Sequence, residues 1–525
     1  MLFAVFWTVA VVSDYINKNP FYEPSFTYFR YLNLSLYLIV IAGTVSLIFL
    51  YDQLKKYKSL ISNGLGLFLL VTVEIAAITI AFASFTAIDF NVNHLINMLG
   101  INFQSILYLL LVTLSAYIYG DYLAKYVKQA IYKIAVGIII ICNLLFLFGV
   151  FHFINIYSVL AILIIPILPK IPSIPKILHS TFIARLEFEK ISILGTFSLV
   201  LIVFFFMLNF IYSQIPFPTG FDSRNFYMNI ARLISGNEGL VFGWRPYNWG
   251  LLVSTGFTVF GKNEVAVSLS LYGYILALFG MFHLGFKVLK MNINYVLFFM
   301  LIVTVTPAIA NQQFVEHKTD LALLFFQTVS ISLFIEIFGT YKANRLEGIA
   351  NFSQLILKDI WPQLILLGLF LGFGLSIKLT NMFLVFSLLI SVFAIKGDSY
   401  KFIGVIAIAL AIFLIVRLDD LTGLRRYHLS VGMVILGCLI LGTVLLGLSF
   451  FKSKQDLIKS LYFVIIIGIC SGLPMIPWIT KNYIETRSLN PNKLLNGAQT
   501  GPDWDIRQID RDYQNYHRSR TNKKG

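Results

Sequence analysis

The chain has little charge. Only 12% of its 525 residues are Asp, Glu, Lys or Arg, against 58% hydrophobic, whereas a soluble domain carries about 25% charged residues. That shortage excludes a soluble globular protein, because no core of this size hides so much apolar surface. Cysteine is almost missing. Cys142, Cys438 and Cys470 are the only three, and each sits inside an apolar segment. This excludes a disulfide framework and any zinc-ligand spacing, and leaves small packing residues. Acidic residues are the scarcer sign, 25 against 40 Lys and Arg, for a formal charge of +15. The excess does not point to nucleic acid, because the basic residues cluster in short connections between apolar runs, where they set membrane orientation. Short alternating segments are missing too, which excludes a transmembrane β-barrel. No internal repeat is found. Residues 1–12 are apolar but have neither a basic n-region nor a small-residue cleavage site, so no cleavable signal is expected. That stretch reads as a shortened first span or a truncated gene start.

What the sequence does have is apolar runs of membrane-spanning length. They fall at 31–51, 65–84, 101–119, 131–151, 153–168, 192–212, 265–286, 293–310, 321–338, 364–377, 379–395, 402–416, 429–451 and 461–478. The expectation is an all-α, polytopic transmembrane helical bundle of about 13–15 spans. Every second connection is basic: 52–58, 120–133, 170–190, 287–290, 341–358, 396–401 and 451–459. The alternate connections (87–100, 214–263, 311–320 and the neighbourhood of Lys378) are poorer in Lys and Arg. The positive-inside rule puts the basic set in the cytoplasm. The loop of Asp222, residues 316–320, Lys378, Arg425, Arg426 and the C-terminal tail are then expected outside. Residues 417–428 break the pattern with three arginines, partly offset by Asp419 and Asp420.

Pro166, Pro169, Pro172 and Pro175 break any helix near 170–190, which reads as a linker. The expected organisation is an N-terminal membrane unit at 1–175, a second membrane core at 190–496 and a polar tail at 497–525. Within the long loop 214–263, residues 248–261 place Leu251, Leu252, Phe257 and Phe260 as on an amphipathic helix lying on the membrane surface. Trp244, Tyr247 and Trp249 are expected at headgroup level.

Four polar patches are candidates for chemistry. Asp222, in Thr219-Gly220-Phe221-Asp222-Ser223-Arg224, either caps the following helix or serves as a general base at a lipid–water boundary. Glu316, His317 and Asp320 form a dense charged turn before a span. Asp320 suits a helix N-terminus, and the three side chains are hard or borderline metal ligands in no recognised metal spacing. Lys378 interrupts a long apolar stretch and either snorkels to headgroups or meets a lipid-linked phosphate. Gly368 and Gly372, just before it, have the spacing of close helix packing. Last, Pro477-Trp478-Ile479-Thr480-Lys481-Asn482-Tyr483 ends the final span, with Lys481 and Arg487 either flanking charges or contacts to an anionic substrate.

In this order the four patches resemble the GT-C superfamily of membrane glycosyltransferases, in the branch of protein O-mannosyltransferases and the aminoarabinose transferase of lipid A. The likeness runs over 192–496. It is carried by Thr219-Gly220-Phe221-Asp222, Val259-Phe260-Gly261-Lys262-Asn263-Glu264, Asp320-Leu321-Ala322-Leu323-Leu324-Phe325, Gly372-Phe373-Gly374-Leu375-Ser376-Ile377-Lys378 and the segment from Pro477 to Pro491. Asp222 stands alone where many members show an acidic pair. The resemblance implies a GT-C-like core with an extracytoplasmic loop and membrane-surface helices. It implies sugar transfer from a polyprenyl-phosphate donor to a lipid, glycan or protein acceptor hydroxyl, on the outer face of a bacterial or archaeal cell membrane. Asp222 would be the catalytic base, and Arg224, Arg245, Glu316, His317, Asp320, Lys378 and Arg487 would bind substrate. No metal site is assigned, a divalent cation stays open as cofactor, and membrane lipids rather than nucleic acid are the expected surroundings. The alternative is a multi-span transporter or lipid flippase, for which Glu74 and Glu336 are the intramembrane candidates.

Overall fold

The computed structural model describes residues 92–123, 126–174, 192–213, 222–306, 308–309, 312, 317–346, 360–394, 399–415 and 431–497. Several sequence expectations lie outside these residues. They are the spans at 31–51 and 65–84, the stretch 1–12, most of the linker at 175–190, residues 219–221, Glu74, Glu316, Arg425, Arg426 and most of the tail.

Every regular element among the described residues is helical. Seven of those helices are long and apolar enough to cross a membrane, and four shorter apolar helices accompany them. The protein is an all-α, multi-pass membrane helical bundle. Two compact units are present. Residues 1–328 with 496–525 form one, and 329–495 form the other. The proline-rich boundary at 170–190 therefore falls inside the first unit.

In the first unit the helices are α1 (Val92–Asp121), α2 (Ala130–Val150), α3 (Ile156–Ile164), α4 (Ile193–Ser213), α5 (Met228–Gly236), α6 (Asn248–Phe260), α7 (Asn263–Phe282), α8 (Ile293–Val305) and the start of α9 (Asp320–Leu346). Small residues allow close approach. A Cβ on Gly137 of α2 would collide with the Ala116 carbonyl of α1, and one on Gly256 of α6 would fall 2.7 Å from the Ala266 nitrogen of α7. Polar contacts fix the register. Thr113 of α1 meets the Tyr272 hydroxyl of α7 at 2.8 Å, and the Ser115 hydroxyl donates to the Leu163 carbonyl of α3. On the other side, α4, α7 and α8 share an apolar cluster of Ile202, Met281, Val296, Met300 and Leu301.

Charge sorts along this unit. Asp121 ends α1 and holds Lys133 at 2.7 Å and Lys170 at 2.9 Å. Two of the basic connections therefore meet at one end, as expected of segments on one side of a membrane. At the far end of α2 the backbone of residues 238–240 is bonded to Gly149 and Ile154.

The expected membrane-surface helix is corrected. As α6, it is buried at every position from Asn248 to Phe257, packed among α2, α3, α5 and α7. Trp249 is 0% exposed, and Trp244 and Tyr247 are buried as well. The reason is composition. Gly250, Val253, Ser254 and Gly256 leave no wide charged face on this helix, and a helix without one is covered by protein.

The second unit holds the rest of α9, then α10 (Trp361–Ile377), α11 (Met382–Ala394), α12 (Ser399–Ile415), α13 (Val431–Gly472), α14 (Ile476–Thr486) and α15 (Pro491–Asn496). The connection expected at 451–459 is not a loop, because α13 runs through it as one 42-residue helix. The helix nevertheless bends. Gly404 of α12 packs on Gly442, while Lys401, one turn earlier, reaches Ser460 at 3.3 Å. On a straight helix Gly442 and Ser460 lie about 27 Å apart, farther than one turn of α12 and a lysine side chain extend. The bend brings Lys401, at the start of α12, beside Ser460, just after the basic stretch 451–459.

Gly368 and Gly372 behave as their spacing predicts. A Cβ at Gly368 would meet Cys470 and the Ile467 carbonyl of α13, and one at Gly372 would meet the Ser471 carbonyl. Gly374 leaves room for the Asn381 amide, which donates to the Leu371 carbonyl at 2.9 Å.

Candidate functional site

Asp222 has helical backbone angles (φ −67°, ψ −36°) and makes no capping hydrogen bond. Of the two roles the sequence leaves open, the cap is therefore removed. Its carboxylate lies 2.5 Å from the Lys318 ammonium instead. Asp222 leads into a π-helical turn, Ser223–Tyr227, whose Ser223 carbonyl accepts from the Met228 N–H. Such wide turns are frequent at functional sites. Ser223 is fully buried and anchors the turn.

Lys318 is presented by a pinned loop. His317 and Thr319, on either side, are 4% and 5% exposed. The Lys318 carbonyl accepts from the Ser270 hydroxyl of α7 at 3.4 Å, and the Thr319 carbonyl accepts the Leu323 N–H at 2.9 Å as α9 begins. Close packing makes this possible, since a Cβ on Gly273 of α7 would fall 2.7 Å from the Ala322 nitrogen of α9. Ser270 is seven residues into α7, so the loop lies about 10 Å along that helix from Asn263. The loop that carries Lys318 is thus fixed to the side of α7 about two turns from its start.

The neighbours have distinct states. Burial pushes the His317 imidazole down to about 4. It is therefore neutral at pH 7, a buried ring packed into the loop before α9. The Thr319 hydroxyl is buried with no hydrogen-bond partner among the described residues. Asp320 stands in the first turn of α9, where the helix dipole favours a carboxylate. Arg245 is exposed, with its guanidinium 5.5 Å from the Trp244 ring centroid. Trp244 in turn stacks on Phe226 at 6.2 Å, on the turn that Asp222 opens. Arg224 belongs to the same turn by sequence. Among the described residues no three His, Cys, Asp or Glu side chains gather as a metal site, so the divalent cation gains no ligand set there.

Lys378 and Arg487 belong to the second unit. Lys378 stands where α10 breaks, in extended backbone (φ −156°, ψ 127°), and Arg487 ends α14 in left-handed backbone at φ 50°. The motif around Trp478 is folded inwards. Trp478 and Asn482 are 1% and 0% exposed, and Lys481 is paired with Glu485 at 2.8 Å. Burial beside a carboxylate corrects the reading of Lys481 as a flanking charge.

The geometry brings the first two polar patches together, through a residue that sequence reasoning passed over. Lys318 was readable as part of the second patch. The signal that it mattered was topological, because the patch lies on the same expected side as Asp222 and carries the opposite charge. Comparison with protein-family models, with curated proteins and with solved structures finds no match in any of the three.

Proposed function

We propose that the protein is an integral membrane glycosyltransferase that moves a sugar from a polyprenyl-phosphate donor to an acceptor hydroxyl on the extracytoplasmic face of a bacterial or archaeal cell membrane. The observation that carries this reading is the contact between Asp222 and Lys318. A carboxylate able to take a proton and an ammonium able to hold a phosphate oxygen stand side by side at the end of a membrane bundle. In an inverting transfer the acceptor oxygen forms a bond to the anomeric carbon while the bond from that carbon to the phosphate oxygen breaks. Asp222 takes the acceptor proton, and the charge gathering on the departing lipid phosphate falls to Lys318. Arg245, exposed beside the Asp222 turn, is a second cation for the same anion. Lys378 and Arg487 are given no step. The transporter alternative depends on Glu74 and Glu336, and no feature of the described residues favours it.

The test is transfer in proteoliposomes, with labelled hexosyl and pentosyl polyprenyl phosphates and release of polyprenyl phosphate as readout. Asp222→Asn is expected to slow turnover by about 100-fold or more. Undiminished turnover removes Asp222 from the chemistry. No release by the unaltered protein with any donor ends the proposal.

A further inference from the structure

The Asp222–Lys318 contact poses a problem for the reaction just proposed, on which this inference rests. A carboxylate oxygen held against an ammonium is not open to an acceptor hydroxyl, and an ammonium holding a carboxylate is a poor anchor for phosphate. Both groups cannot do their work in the arrangement observed. We infer that the Asp222 carboxylate occupies on Lys318 the place of a substrate phosphoryl anion, and that a prenyl-linked phosphate displaces it and so releases the base.

Two observations say which partner leaves. Lys318 is tethered, because His317 and Thr319 are buried on either side and the Lys318 carbonyl is bonded to Ser270. Asp222 is the more exposed member of the pair, its side chain 41% accessible against 21% for Lys318, so it regains water at small cost when released. Carboxylate and phosphoryl oxygens are also equivalent acceptors for an ammonium, and lysine, a point charge with rotating donors, changes partner without moving its stem. Lys318 is fixed to the side of α7, a helix long and apolar enough to span a membrane, so an anion held there can keep its lipid chain in the bilayer. Binding is then ordered. The donor must arrive before the acceptor, because only the donor's phosphate frees the carboxylate that activates the acceptor.

The inference predicts an affinity change of unusual sign. The full-length protein in phosphatidylcholine nanodiscs is titrated with decaprenyl phosphate, decaprenol, inorganic phosphate and phosphatidylglycerol. Removing the internal competitor with Asp222→Asn should tighten decaprenyl phosphate binding about two- to fivefold, the range of partly exposed ion pairs. Lys318→Gln should weaken it about tenfold, Lys318→Arg should preserve it, and the gain from Asp222→Asn should vanish in the Lys318→Gln background. Decaprenol should respond to none of these changes. Unchanged or weaker binding by Asp222→Asn overturns the inference, as does a gain that survives loss of Lys318. An equal gain with inorganic phosphate or phosphatidylglycerol overturns the assignment to a prenyl lipid. The expected pattern without sugar transfer leaves the inference standing and removes the transferase reading, whereas transfer without the pattern does the reverse.

Discussion

Alanine at Gly372 tests the tightest helix contact of the second unit. Its Cβ would lie 2.2 Å from the Ser471 carbonyl oxygen and 2.8 Å from the Pro474 ring, where ordinary contact begins at 3.4 Å. A backbone oxygen and a proline ring cannot rotate aside, so α10 must back away from α13 by roughly 1 Å, an overpacking that costs about 1–3 kcal/mol. Alanine also returns about 1 kcal/mol of helix propensity, which blurs a single measurement. Gly468 on α13 supplies the control, because a Cβ there meets nothing within 4 Å, so Gly468→Ala has the propensity gain alone. The two variants should therefore differ by about 1–3 kcal/mol, Gly372→Ala being the less stable. The assay is unfolding by dodecyl sulfate in mixed micelles. Gly368→Ala should be destabilising too, and the double variant should lose less than the sum, because one outward shift of α10 relieves both collisions. If Gly372→Ala and Gly468→Ala unfold at the same point, the close approach is wrong.

Two further outcomes follow from the charged groups. Because the folded protein holds His317 near 4 against an ordinary value of about 6.5, the unfolded chain takes up the proton first. The stabilisation is complete above about pH 6.5 and is lost as pH falls through the window down to about 4, roughly 3 kcal/mol in all. Unfolding midpoints measured from pH 7.5 to 4.5 should fall less steeply for His317→Leu, and parallel curves would refute the burial argument. Asp121→Asn leaves Lys133 and Lys170 facing each other at 11% and 30% side-chain exposure. It should cost about 2 kcal/mol once the exposed lysine is discounted, with partial recovery when Lys133→Met is added.

Much of the membrane architecture was legible because it depends on composition and period. The runs at 131–151 and 321–338 reappear as Ala130–Val150 and Asp320–Gly339, since an unbroken apolar stretch of that length has few other stable states. The basic connections were legible for a similar reason, and Asp121 with its two lysines meets that expectation. Two features were misread from local composition. Residues 248–261 looked amphipathic because Leu and Phe recur at helical spacing, but what covers their other face includes α2 and α3, far away in sequence, as well as the adjoining α5 and α7. The connection at 451–459 looked like a loop because Lys452, Lys454, Lys459 and Asp456 are polar, yet none of them breaks a helix, and α13 continues through it. At the site, the carboxylate was found from its setting, and its lysine was not. Pairing across 96 positions of chain (Asp222 to Lys318) leaves no trace in either local pattern.

The burial of α6 has a consequence for how the protein is made. Its walls come partly from segments that leave the ribosome earlier, α2 and α3, and partly from α7, which leaves later. Until α7 is in place, ten successive residues of α6 lack cover on one side while being too few to settle across a bilayer alone. Biogenesis therefore passes through a stage in which this greasy segment needs a temporary host, and a translational pause or a missing insertase subunit at that point should expose it to proteases first.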